Sequence, residues 1–143
     1  MIVPDVNLLL YAYDDRAAEH AIARDWWEGL IGGDEEVGLP WVVINGFIRL
    51  MANPRVVSSP LSPADAADLV EGWLSCPHIA PLDPGDGHIG YFRTNLHVPG
   101  AGHNLVTDAH IAALAVEHDA EVHTNNDSDF RRFSGLRWRN PLQ

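Results

Sequence analysis

Asp5 closes the opening stretch MIVPD, Asp108 opens the apolar run of NLVTDAHIAALA, and Asp127 and Asp129 crowd together in VHTNNDSDF. Each stands at a junction between strand-like and helix-like sequence. If those junctions lie side by side, the carboxylates repel, at least one pKa rises, and a cation is needed to neutralise them. Hard divalent ions such as Mg²⁺ or Mn²⁺ take oxygen ligands of this kind and leave positions for water and phosphate oxygens. An ion held that way can activate water and stabilise the leaving oxygen of a phosphodiester. The same residue types also have a structural use. Asp is a favoured helix cap, so Asp5 and Asp108 could satisfy backbone N–H groups, and Asp127 and Asp129 could serve a turn. Asn7 poses the same choice between a contact in the cleft and a capping amide.

Other chemistries find less support. None of the eight histidines stands in an H-E-x-x-H pattern, and Cys76 has no partner for a cysteine-pair zinc site. His110, close to Asp108, is left as a packed residue or a substrate contact. No G-x-S-x-G elbow is present, and the chain has no lysine with which to build a P-loop. The net charge of -11 argues against a generic phosphate-binding surface, because non-specific affinity for nucleic acid rests on clustered positive charge. Arg131, Arg132, Arg137 and Arg139 nevertheless fall close together, so any RNA contact is expected at that corner. The acidic body also suits a basic partner protein. Trp26, Trp27, Trp41 and Trp73 fall on helical stretches and are expected in the core or against a partner. Because Trp26 and Trp27 are adjacent, one of them is expected to meet a partner or a second subunit. Trp138, between two arginines, is the candidate for stacking on an RNA base.

The elements that must position these residues alternate. Strands are expected at Ile2–Asp5, Val37–Leu39, His78–Leu82, around Val122 and at Leu136–Trp138. Helices are expected at Leu8–Tyr13, Ala17 to about Leu30, Trp41–Met51, Pro63–Leu74, Gly87–Leu96 and Asp108–His118, with a turn at Ser128–Phe133. Ala21, Ile22, Trp26 and Leu30 form the expected apolar face of the second helix. Ser62-Pro63-Ala64-Asp65 is a strong helix start, with Ser62 as cap and Pro63 in the first helical position. Strands separated by helices predict an α/β fold with a mostly parallel sheet, built as one domain over 1–143. Ligands of such sheets sit beyond the carboxyl ends of the strands, which is where the acids fall. No run approaches the roughly 20 apolar residues of a membrane span. The lone cysteine and the absence of a basic, then apolar, leader make a cytoplasmic protein the expectation.

Four ordered stretches carry a resemblance to PIN-domain ribonucleases, specifically the VapC toxins of VapBC toxin–antitoxin pairs of the kind abundant in mycobacteria. DVNLLLYA at 5–12 is similar to that family's opening motif, and WVVINGFIRLMANPRV at 41–56 resembles its central helix. NLVTDAHIAALAVEHDA at 104–120 and TNNDSDFRRFSGLRWRNPL at 124–142 are similar to its third and closing motifs. The resemblance implies a PIN fold, a Rossmann-like α/β/α sandwich. It implies an Mg²⁺-dependent endoribonuclease, with Mn²⁺ as a substitute ion. Asp5, Asp108 and Asp127 are then the catalytic metal ligands, and Asp129 lies close by as a further ligand. Asn7, Thr124, Arg131, Arg132 and Trp138 become candidate substrate contacts. Homodimerisation and inhibition by a VapB-type antitoxin are also implied. One position departs: where the wider family places a glutamate before the phenylalanine of the central helix, this chain reads Asn45-Gly46-Phe47. A site with one acid fewer is less negative and weaker for Mg²⁺ when empty. The rival reading is therefore a catalytically silent module on the same fold that binds antitoxin or RNA. A phosphatase fits less well, since Asp5-Val6-Asn7 is not D-x-D-x-T.

Overall fold

The computed structural model describes residues 1–143. In chain order the elements are β1 (Ile2–Pro4), α1 (Val6–Tyr13), α2 (His20–Gly32), β2 (Val37–Pro40), α3 (Trp41–Met51), α4 (Pro63–Leu74), β3 (Ile79–Leu82), α5 (His88–Leu96), α6 (Val106–Glu117), β4 (Glu121–His123), α7 (Asp127–Phe130) and β5 (Arg137–Arg139). A 3-10 turn at His103–Leu105 leads into α6. The sheet runs β3-β2-β1-β4-β5 with every pair parallel, as the alternation of elements predicts. The chain winds outward from β1 to β3, then returns to the other side of β1 for β4 and β5. Right-handed crossovers therefore put α1–α4 on one face and α5–α6 on the other.

Two strands end in the same way. Pro4 closes β1 and Pro40 closes β2, and a helix follows each almost at once. Proline has no N–H to continue a ladder and fixes φ in a range that leads into a helix start, so both strands stop on one edge. Helix α4 starts as its sequence predicts, with Ser62 Oγ accepting a hydrogen bond from Asp65 N at 3.1 Å and Pro63 in the first turn.

Helix α2 departs from expectation. Residues 14–19 form turns, with Ala17 N donating to Asp14 O and His20 N to Ala17 O, so the helix begins at His20 rather than Ala17. His20 Nδ1 then lies 2.8 Å from Tyr11 O and ties the new start to α1. The buried face follows Ala23 and Trp27 instead of Ala21 and Ile22, and Ile22 is 54% exposed. Trp27 is buried in the core, and half-buried Trp26 donates from Nε1 to His123 Nδ1 at 3.0 Å. Because His123 Nδ1 accepts there, its Nε2 carries the proton toward Glu121 Oε1, 2.9 Å away. Trp41 is 54% exposed at the start of α3, outside the core.

An aromatic cluster joins the helices of the first face. Trp73 meets Phe47, Trp27 and Tyr13 at centroid distances of 4.7, 5.1 and 5.7 Å, and its Nε1 donates to Tyr13 Oη at 2.9 Å. No helix is long and apolar enough to cross a membrane.

Candidate active site

Strands β1 and β4 are neighbours, and from them the winding runs in opposite directions. The crevice beyond their carboxyl ends is the switch point where open α/β sheets place ligands. Asp5 leaves β1 there, with its N–H still paired to His123 O at 2.8 Å. Its Oδ1 accepts from Val6 N at 2.8 Å, so it does cap α1. Its Oδ2 accepts from Thr124 Oγ1 at 2.7 Å, and Thr124 follows β4 and is fully buried. Capping and site geometry thus use different oxygens of one carboxylate. Burial pushes the Asp5 carboxyl above its ordinary range, against the opposing pull of the Thr124 and Val6 bonds.

Asp108 is not a cap. Helix α6 begins two residues earlier than expected, with Leu105 as its cap residue and no side-chain cap bond, so Asp108 lies in the first turn. Its carboxyl is pushed up to about 7, chiefly by burial and then by the charges of Asp5 and Asp129, while a hydrogen bond from Asn126 opposes the shift. Asp108, distant in the chain from Asp5, therefore feels the charges of both Asp5 and Asp129.

Asn126 completes the cluster. Its Nδ2 donates to Asp108 Oδ2 at 3.1 Å and to Asp129 Oδ2 at 2.8 Å, while its backbone N donates to Thr124 Oγ1 at 2.9 Å. A continuous set of hydrogen bonds therefore links all three carboxylates. Nothing in the composition marks Asn126 out, because Asn125-Asn126 before an aspartate reads as a turn.

Of the two acids in α7, Asp129 is the one joined to Asp108. Asp127, expected as a primary ligand, is engaged elsewhere: its Oδ1 accepts from Asn140 Nδ2 at 2.9 Å, and the same Nδ2 lies 2.9 Å from Asn125 Oδ1. Asn140 is buried and fastens the C-terminal segment to this turn. No group of three or more His, Cys, Asp or Glu side chains is drawn together tightly enough to hold a metal ion in this arrangement. The chemistry of the donors suits a hard cation, since carboxylates are its preferred ligands and the arginine beside them, Arg132, pairs with Asp129 alone. The spacing is open.

The remaining candidates scatter. Asn7, in the first turn of α1, caps nothing, and its Oδ1 is buried without a donor. Arg132 donates to Pro99 O at 2.5 Å and stands 3.7 Å from Asp129 Oδ1, beside a polar cleft of about 280 Å³ formed with Gly100, Gly102, His103 and Asn104. Arg131 is exposed, its Nε donating to Asp127 O at 3.3 Å. The expected basic corner does not form as one patch. Arg137 pairs with Asp119 at 3.1 Å at the amino end of β5, and Arg139 lies 3.7 Å from Glu121. Trp138 is half-buried against the core rather than displayed. His110 shares a hydrogen bond of 2.9 Å with His88 Nε2 between α5 and α6. Gly46 is buried in α3, and a Cβ there would meet Val6 Cγ2 at 3.5 Å, ordinary contact beside the first turn of α1.

The sheet order 3-2-1-4-5 places these acids at its central switch point, and the sequence matches the PIN domain family model over residues 2–136. The chain belongs to the PIN domain family. It is 39% identical over 143 residues to "Ribonuclease VapC33" of Mycobacterium tuberculosis, covering 100% of this chain and 99% of that protein. To "Ribonuclease VapC43" of the same species it is 42% identical over 142 residues, 99% of this chain and 96% of the relative. Among solved structures, VapBC-1 from nontypeable Haemophilus influenzae superimposes with a TM-score of 0.69 at 18% identity, covering 100% of both chains. DNA-bound VapBC from Salmonella typhimurium gives 0.66 at 20% identity, covering 98% and 97%. The fold is the Rossmann-like α/β fold that the motif resemblance implies.

Proposed function

We propose that this chain is an endoribonuclease that depends on Mg²⁺ or Mn²⁺ and is the toxin of a type II toxin–antitoxin pair. The observation that carries the reading is the gathering of Asp5, Asp108 and Asp129 at the switch crevice, joined through the hydrogen bonds of Thr124 and Asn126. The full-length likeness to proteins named as VapC ribonucleases supports RNA as the substrate.

In this reading Asp5, Asp108 and Asp129 would hold the ion, with Asp127 supporting the turn from outside through Asn140. When bound, the ion supplies water activation and charge neutralisation at the scissile phosphate. The chain's own residues do the rest. Thr124 fixes one oxygen of Asp5, and the α1 cap fixes the other, so this carboxylate has little freedom to turn. Asp108, held near 7 chiefly by burial, is about half protonated at neutrality and would give up that proton to a bound cation. Arg132, already anchored to the Pro99 carbonyl, presents a cation at the cleft rim for a flanking phosphate. Arg131 is free to add a second contact, and Asn7 offers an unpaired oxygen close to α1's start. Hydrolysis adds the water's oxygen to phosphorus and its proton to the departing O3′, leaving 5′-phosphate and 3′-hydroxyl ends.

A VapB-type antitoxin would inhibit by placing a basic side chain among these acids, which the net charge of -11 favours. We propose a homodimer as the assembly and the cytoplasm as its place. The purified chain should cleave RNA with Mg²⁺ or Mn²⁺, and chelation should reduce cleavage to background. Cleavage that is indifferent to chelator contradicts the metal dependence. Absence of cleavage with either ion favours the silent module that Gly46, in place of an acid, suggests.

A further inference from the structure

We propose that the polar cleft beside Asp129 is a subsite for one ribonucleotide bordering the scissile phosphate, with His103 and Asn104 reading its base and Arg132 taking its phosphate. The proposal rests on the ribonuclease reading above and adds to it the residues that choose where RNA is cut.

The cleft opens from the acidic crevice. Asp129 stands between the two: its Oδ2 accepts from Asn126, which also donates to Asp108, while its Oδ1 lies 3.7 Å from Arg132 Nη1 on the cleft side. A strand whose scissile phosphate meets the acids therefore reaches the cleft with an adjoining nucleotide. At about 280 Å³ the cleft lies at the lower end of the roughly 300–1,000 Å³ of small-molecule sites, which is room for one nucleotide and not for a longer stretch.

Its lining suits that ligand. Arg132 is steadied by the bond from Nη2 to Pro99 O, and its fork has further N–H groups to give a phosphate. His20, His78, His88, His110, His118 and His123 each have a hydrogen-bond partner within the chain. His103 is exposed at the cleft and has none, so its ring is free to stack on a base. The neighbouring Asn104 amide, exposed as well, offers donors and an acceptor to a base edge. Leu105 is the one apolar residue of the lining, so an apolar side chain of a peptide finds little to bury against. Gly102 supplies space. Its φ of -120° suits any residue, and an added Cβ would meet nothing within 4 Å, so neither the backbone nor a neighbour calls for glycine there.

Sequencing the ends cut from an RNA of randomised sequence, with Mg²⁺ or Mn²⁺, tests this on wild type, His103→Ala, Asn104→Ala and Gly102→Val, with melting temperature as the fold control. Wild type should favour particular bases at one nucleotide bordering the cut. His103→Ala and Asn104→Ala should weaken that preference by roughly five- to fiftyfold at that nucleotide alone, the lower part of what one base contact is worth. Gly102→Val, which fills the cleft, should slow cleavage of every sequence chiefly through KM. An unchanged preference in both alanine variants, or a wild type indifferent to both bordering bases, overturns the proposal. So does slower cleavage with the preference intact, because that is a structural effect only. A wild type that cleaves no RNA with either ion removes the ribonuclease reading instead. Selection of the same library by filter binding, with chelator present, then decides the cleft separately. Base enrichment that Asn104→Ala erases sustains the subsite, and enrichment that is absent or survives the substitution overturns it.

Discussion

Asp108→Asn is expected to lower RNA cleavage by on the order of a hundredfold or more while the protein stays folded. Contacts outside a metal's direct ligands already change affinity or activity by roughly 10–100-fold, and Asp108 is assigned as a ligand. The substitution is nearly isosteric and leaves an amide oxygen to accept the Asn126 bond. Asp108 caps no helix, so its loss does not unsettle α6. It also removes one of three mutually repelling carboxyls, so the metal-free variant should be no less stable than wild type at pH 8. Asp5→Asn is expected to abolish cleavage as well, with a stability cost, because Asp5 also caps α1 and takes the Thr124 hydroxyl. Single-turnover cleavage of a labelled RNA, with circular dichroism as the fold control, makes the measurement. Undiminished cleavage by Asp108→Asn refutes its assigned role.

Trp73→Ala should destabilise the protein by about 3–5 kcal/mol, the usual range for truncating a buried large aromatic. Trp73 is 3% exposed and touches Tyr13, Trp27 and Phe47, which belong to three other helices. Removing it opens a cavity at their meeting point and deprives the Tyr13 hydroxyl of its donor. Domains have about 5–15 kcal/mol in total, so this loss is a substantial share of the protein's stability. At about 2–4 °C per kcal/mol for a chain near this size, the melting temperature should fall by roughly 6–20 °C. Trp73→Phe should lose much less. Equal stability of Trp73→Ala and wild type in urea unfolding contradicts the packing described for this face.

The order of strands and helices was readable because β1, β2 and β3 are short, apolar and closed by proline or a polar junction, and helical stretches separate the strands. The parallel sheet followed from the alternation, and the positions of Asp5 and Asp108 at its carboxyl edge followed from the sheet. Three features were not local and escaped. Asp127 and Asp129 lie two residues apart on one short helix, and the partner that takes up Asp127 is Asn140, thirteen residues onward. The buried face of α2 depended on where the helix begins, which turns at 14–19 decide through tertiary contact with Tyr11. The arginines near the C-terminus are close in sequence, yet β5 carries Arg137 and Arg139 to acids of their own while Arg132 turns to the cleft. Asn126 had no signal at all, since its significance comes from two carboxylates brought to it by separate helices.

The shared charge of the acids has a pH signature. A carboxyl held near 7 keeps a proton that the unfolded chain, with an ordinary value of 3.8, has already lost. Between those values the folded state binds more protons than the unfolded, so metal-free stability contributed by Asp108 is present at low pH and is lost as pH rises through about 7. The most direct test is the titration of the Asp108 side-chain carboxyl by carbon-detected NMR in metal-free protein, repeated in Asp5→Asn and Asp129→Asn. The predicted result is a midpoint near 7 in wild type that moves toward the ordinary carboxylate range in each variant. A wild-type midpoint near 4, unmoved by either substitution, contradicts a common acidic pocket.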